Sequence, residues 1–103
     1  MAKSSMVNFR PDTVIVSVQD QVSTSLGDEA VILHLKDGIY YGLNPLGAHI
    51  WRLLEEPRTF GEIRDIILEE YEVEPQRCEQ DLIKLLQELA DRKLIEVRGE
   101  TAP

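Results

Sequence analysis

The sequence predicts an α+β domain, with strands gathered in the first half of the chain and helices in the second. Two observations carry this. Residues 29 to 43 read as a β-hairpin, and the hairpin runs directly into three short helical segments that reach residue 95. The length of 103 residues sets the scale at one small domain, which buries roughly 60–65% of its extended-chain surface. With 43% apolar and 29% charged residues, the chain has the balance of a globular protein that folds without disulfide staples.

Residues 1–13, with small polar residues followed by Arg10-Pro11-Asp12, read as a flexible arm. The folded domain is expected over 14–97, and 98–103 as a flexible tail. Val14-Ile15-Val16-Ser17-Val18 is β-branched and apolar, which predicts a first strand. Gln19 to Gly27 is polar and reads as a connection, with at most a short strand piece around Val22. Glu29 to Leu35 alternates as a strand, Val31, Leu33 and Leu35 on one face and Ala30, Ile32 and His34 on the other. Asp37-Gly38 offers the positive-φ residues of a two-residue hairpin turn, and Ile39-Tyr40-Tyr41-Gly42-Leu43 returns.

Asn44 is placed to cap the next helix, with Pro45 at its first position. Leu46, Ile50, Leu53 and Leu54 follow at helical spacing beside Trp51, until Pro57 ends the run. Thr59-Phe60-Gly61-Glu62 fits a capping box, and Phe60, Ile63, Ile66, Ile67 and Tyr71 then mark one buried stripe. Pro75 opens a third helix that ends near Arg92-Lys93, cations suited to its C-terminal dipole. Its apolar face is broad: Cys78, Leu82, Leu85 and Leu89 form one stripe, and Ile83, Leu86 and Ala90 form a second beside it. Either both stripes are core, or one leaves apolar surface facing a groove. Leu94-Ile95-Glu96-Val97 is a short apolar exit, a strand or a plain connection.

The returning strand, 39–43, has no later strand of similar quality to pair with, so it is expected at a sheet edge, hidden or used to bind an extended peptide. Catalytic chemistry has little to work with. His34 and His49 have no partner at metal-ligand spacing, no glycine-rich phosphate loop follows a strand, and Cys78 on an apolar helical stripe behaves as a small hydrophobe. No cofactor is expected. The lone cysteine excludes an internal disulfide and suggests a reducing compartment. The N-terminus lacks the apolar run of a signal peptide, and no segment approaches the ~20 apolar residues that span a bilayer. The expectation is a cytoplasmic protein, with no membrane among its partners. A formal charge of −8 argues against non-specific nucleic-acid binding.

The hairpin, the run Tyr40-Tyr41-Gly42-Leu43-Asn44-Pro45-Leu46-Gly47-Ala48-His49-Ile50-Trp51 and the Asp81-Leu82-Ile83…Leu86…Leu89 helix together resemble the PqqD-like family. These are peptide-recognition domains of ribosomal peptide natural-product biosynthesis. The resemblance covers about residues 14 to 97, and its most specific piece is the strand-to-helix junction followed by the Thr59-Phe60-Gly61-Glu62-Ile63 helix start. It implies a winged-helix-like fold, a three-stranded antiparallel sheet against three helices. It also implies a function: binding the leader segment of a precursor peptide and presenting that precursor to a modifying enzyme. Within the family the chain is more similar to the free-standing recognition proteins of lasso-peptide clusters, which work beside a leader peptidase and an ATP-dependent cyclase, than to PqqD proper.

In that family the leader adds as an antiparallel strand to the sheet edge, in a groove walled by the third helix. Carried onto this chain, the edge is Ile39, Tyr40, Tyr41, Gly42 and Leu43, and the wall is the Cys78–Leu89 side of the helix, with Cys78, Asp81, Leu82 and Leu85 as its contacts. Gly42 would allow close approach of a second backbone, or alternatively mark a bulge into Asn44. Tyr40 and Tyr41 point to opposite faces, so at most one lines the groove. Asp81 would meet a cation of the leader, or is simply a solvated carboxylate early in the helix.

Two other readings are testable from charge and topology. A winged-helix DNA-binding regulator would present a basic recognition helix. Residues 59–74 instead carry Arg64 alone against six acidic residues, and 75–93 carry four of each sign. A non-catalytic scaffold or dimerisation module is the other, since an unpaired edge also pairs with its own copy.

Overall fold

The computed structural model describes residues 9–18 and 21–98. Of the expected arm, 1–13, and tail, 98–103, residues 1–8 and 99–103 lie outside the described residues, and Arg98 ends the last strand. The elements are β1 (Val14–Ser17), β2 (Gln21–Leu26), β3 (Glu29–His34), β4 (Ile39–Leu43), α1 (Pro45–Leu53), β5 (Arg58–Thr59), α2 (Phe60–Glu70), α3 (Pro75–Asp91) and β6 (Ile95–Arg98). The α+β class and the three helices stand as the sequence indicates. The strands, however, divide into two three-stranded antiparallel sheets, ordered β5-β1-β6 and β2-β3-β4, rather than one.

The division has a physical cause. β1 does not join the hairpin; it pairs with β6, Val14 opposite Arg98 and Ser17 opposite Ile95, and with the two-residue β5. The hairpin instead takes its third strand from the polar stretch read as a connection. Gln21 through Leu26 pairs residue for residue with His34 through Glu29. Gly27, at φ +68°, opens the two-residue link between them, the place where a type II′ turn requires glycine. The β3–β4 loop is longer than expected. Pairing starts at His34 opposite Ile39, so Leu35–Gly38 form a four-residue loop in which Gly38 alone has positive φ, +67°. Its amide donates to the His34 carbonyl at 2.8 Å, and the Asp37 carboxylate lies 3.1 Å from His34 Nδ1.

Helix ends follow the local chemistry. Asn44 Oδ1 accepts from the Gly47 amide at 2.8 Å, capping α1. Thr59 and Glu62 complete the capping box of α2, with bonds of 3.1 and 3.0 Å. At the end of α3 the Leu94 amide donates to the Leu89 carbonyl at 2.9 Å and the Lys93 amide to Ala90 at 3.0 Å. That is a Schellman motif, and Lys93 occupies its left-handed position at φ +61°.

The core lies between the inner face of the hairpin sheet, β1 and the helices. Ile15, Ile32, Leu54, Phe60, Ile63, Leu86 and Leu89 are fully buried in it. Residues 9–13, assigned to the arm from sequence, pack onto α2. Phe9 stacks on Phe60 at 5.8 Å, Thr13 is buried, and the Gly61 amide donates to the Pro11 carbonyl.

Candidate functional site

β4 is an edge strand. It pairs with β3 from Ile39–His34 to Leu43–Ala30, and among the described residues its other side has no strand partner. Two neighbours bring it against a helix wall. Asn44-Pro45 turns the chain from β4 straight into α1, and α3 packs across α2 so that its flank faces β4. A cavity of about 410 Å³ opens between them. Its apolar floor comes from Leu43, Leu46, Ile50 and Ile67, and its wall from Cys78, Leu82 and Leu85.

The two stripes of α3 do not divide by role: Leu89, expected on the groove side, turns into the core with Leu86 of the other stripe, while Cys78, Leu82 and half-buried Leu85 border the cavity. Burial pushes the Cys78 thiol up, and neighbouring Asp81 adds to the shift. Both effects disfavour the thiolate.

Of the tyrosine pair, Tyr41 is the one turned to the cavity. Its hydroxyl donates to Glu88 Oε1 at 2.7 Å, bridging β4 to α3, and the Arg92 guanidinium sits 4.9 Å from the ring centroid. Burial, then the bond to Glu88, push its pKa up to about 12. At the other end, Tyr71 closes α2 and its hydroxyl lies 3.3 Å from His49 Nδ1, itself 3.8 Å from the Glu70 carboxylate. The groove thus runs between a Tyr41–Glu88 bridge and a His49–Tyr71 contact.

Seven of the nine residues singled out from sequence line the cavity: Tyr41, Gly42, Leu43, Cys78, Asp81, Leu82 and Leu85. Ile39 and Tyr40 do not. Tyr40 projects from the opposite face and is 69% exposed; Ile39, 52% exposed, lies two pairs closer to the loop than the Tyr41 bridge. Asp81 stands on the rim, 3.9 Å from Arg77. Gly42 is in regular register opposite Val31, not in a bulge, and a Cβ built on it would meet nothing within 4 Å. Leu46, Ile50, Tyr71, Lys84 and Glu88 also line the groove and were not expected there from the sequence. For Glu88 a signal existed: it lies two turns after Asp81 on the same helix face.

Among the described residues no group of three or more His, Cys, Asp and Glu side chains is arranged to hold a metal, and no helix is long and apolar enough to cross a membrane.

These features define a class: a small winged-helix-like α+β domain with an open strand edge over an apolar groove. The family described as Coenzyme PQQ synthesis protein D (PqqD) matches residues 29–95, well over half of the chain, and the chain belongs to that family. Among solved structures it is similar to "TbiB1 in Complex with the TbiA(beta) Leader Peptide", with 39% identity over 84% of this chain and 99% of that one and a TM-score of 0.74. It also shares its fold with "Lasso peptide synthetase B1 complexed with the leader peptide", at 22% identity over 80% of this chain and 96% of that one, TM-score 0.70. No curated protein matches the chain.

Proposed function

We propose that this chain binds the leader segment of a ribosomally made precursor peptide and delivers it to modifying enzymes, a leader peptidase and a cyclase, in lasso-peptide biosynthesis. The observation that carries the reading is the open β4 edge above an apolar cavity. Its relative TbiB1 was solved with a leader peptide bound.

The leader adds to β4 as an antiparallel strand. Backbone bonds to Tyr41, Gly42 and Leu43 supply affinity that tolerates sequence, and the pocket walled by Cys78, Leu82 and Leu85 selects side chains. The empty space beside Gly42 leaves room for a second backbone. Asp81 on the rim offers a charge to a leader cation. Ile39 and Tyr40 contribute at most backbone groups, because Tyr40 projects from the opposite face and Ile39 lies toward the loop, outside the cavity lining. Antiparallel to β4, the leader runs from the Leu43 end to the Ile39 end. The attached core peptide then leaves beside Glu88 and Arg92.

The protein itself performs no chemistry. Holding the leader raises the local concentration of the attached core at the partner enzyme, so it accelerates processing only when that enzyme is present. The lone reduced cysteine supports a cytoplasmic site of action.

Fluorescence anisotropy with a labelled leader peptide, from the precursor encoded beside this gene, tests the reading. Micromolar or tighter binding is expected, with loss in Gly42→Pro while circular dichroism stays native. A folded protein that binds no neighbouring leader overturns it.

A further inference from the structure

The hairpin sheet has a second open edge. Among the described residues β2 pairs with β3 alone. Exposed edge strands in natural proteins are commonly blunted by charge, proline or a bulge, because an unpaired row of amides and carbonyls recruits other strands. β2 shows none of these. Its sequence, Gln21-Val22-Ser23-Thr24-Ser25-Leu26, carries no charge, no proline and no glycine, and its ladder with β3 is unbroken. Val22 through Leu26 are all exposed, Val22 at 52% and Leu26 at 58%.

We propose that β2 pairs with β2 of a second copy of this chain, antiparallel across a twofold axis at Thr24. Two arguments select a second copy. The first is charge. In a chain of net charge −8 the six residues of β2 carry no charged side chain; the acidic neighbours Asp20 and Asp28 flank the strand in sequence, and Glu29 pairs with Leu26 from β3. The second is register. An antiparallel pair across a twofold axis must place like faces together, and β2 alternates Val22, Thr24 and Leu26 on the outer face with Gln21, Ser23 and Ser25 on the inner. Centred on Thr24, the ladder sets Thr24 opposite Thr24, Val22 opposite Leu26, and Ser23 opposite Ser25. Every apolar side chain meets an apolar one and every hydroxyl a hydroxyl. Moving the centre to Ser23 or Ser25 leaves both Val22 and Leu26 without an apolar partner.

The resulting sheet has six strands, ordered β4-β3-β2-β2-β3-β4, and keeps both β4 edges at its outer ends. Dimerisation and occupation of the groove are therefore independent, and this inference stands whether or not the groove binds a peptide. A six-residue ladder is only about 20 Å long. It buries well under the ~800 Å² per partner of a standard interface, so association is weak, in the range of roughly 0.1 mM.

Sedimentation equilibrium of the full chain from about 5 µM to about 1 mM covers that range. The mass is expected to rise from 11.8 kDa toward twice that value across the series. Thr24→Lys and Thr24→Glu each place like charges face to face at the axis and each weaken association by about fivefold. Mixed in equal amounts they associate at least as tightly as the unaltered chain. Because both variants are judged by their mixture, a folding defect in either one does not mimic this pattern. A chain that remains monomeric throughout, single variants that dimerise undiminished, or a mixture that fails to recover would each overturn the proposal; undiminished dimers would point to pairing at β4.

Discussion

Leu85 and Leu86 are adjacent on α3 and separate binding from stability. Leu86 is fully buried behind the groove, whereas Leu85 is half-buried and faces the cavity. Truncating a fully buried leucine removes its transfer energy and leaves a cavity, so Leu86→Ala costs about 2–5 kcal/mol of stability. In a domain of about 5–15 kcal/mol total stability, that is a large share, so the folded fraction must be measured alongside binding. Leu85 has only its remaining exposed half to give to a bound leader. Fully burying a leucine is worth about 1.5–3 kcal/mol, so this half contributes about 1 kcal/mol, and Leu85→Ala weakens leader binding by about fivefold. Its stability loss is of similar size. Urea denaturation and leader anisotropy on both variants give the two numbers for each. Leu86→Ala, measured at a concentration of folded protein set from its own denaturation curve, binds as the unaltered chain does. If Leu86→Ala loses affinity and Leu85→Ala keeps it, the groove does not lie where the helix face puts it.

Tyr41 makes the domain sensitive to alkali. Its folded pKa of about 12 stands above the ordinary value of 10.0, so its stabilising contribution is complete below pH 10 and is lost as the pH rises toward 12. Tyr41→Phe is expected to flatten that part of a stability–pH curve, and an unchanged slope would refute the assignment. Lys93 holds a left-handed conformation at the end of α3 that costs a side-chain-bearing residue about 1 kcal/mol; Lys93→Gly should raise the unfolding free energy by about that amount, read by urea denaturation.

What was legible in the sequence was local chemistry. Asn44-Pro45 and the Thr59–Glu62 pair fix helix starts through bonds spanning three residues, and the structure makes both. β2 was not legible as a full strand. Its two apolar residues, Val22 and Leu26, lie on its exposed face, so no buried stripe marks it, and its stability comes from pairing with β3. The division into two sheets was equally hidden, since β1 and β6 meet from opposite ends of the chain. The length of the β3–β4 loop depended on a contact between His34 and Asp37 that Asp37-Gly38 alone does not announce.

The same distinction applies at the groove. Strand alternation said that only one of Tyr40 and Tyr41 could face it, but not which; Glu88 and Arg92, far along the chain, hold Tyr41 on that side. Two stripes on α3 signalled surplus apolar surface, and the packing of α2 decided that Leu86 enters the core while Leu85 remains on the wall. Ile39 and Tyr40 lie on the strand that borders the cavity, yet are not among its lining residues.

The central claim is strand addition at β4, and an NMR titration of the isotopically labelled chain with unlabelled leader peptide tests it most directly. Amide shifts are expected to concentrate at Tyr41, Gly42 and Leu43 and along Cys78, Leu82 and Leu85. Cross-strand contacts between peptide and β4 backbone protons are expected in antiparallel register. Shifts centred on α2 or on the outer face around Tyr40, with no backbone contact at Gly42, would contradict it.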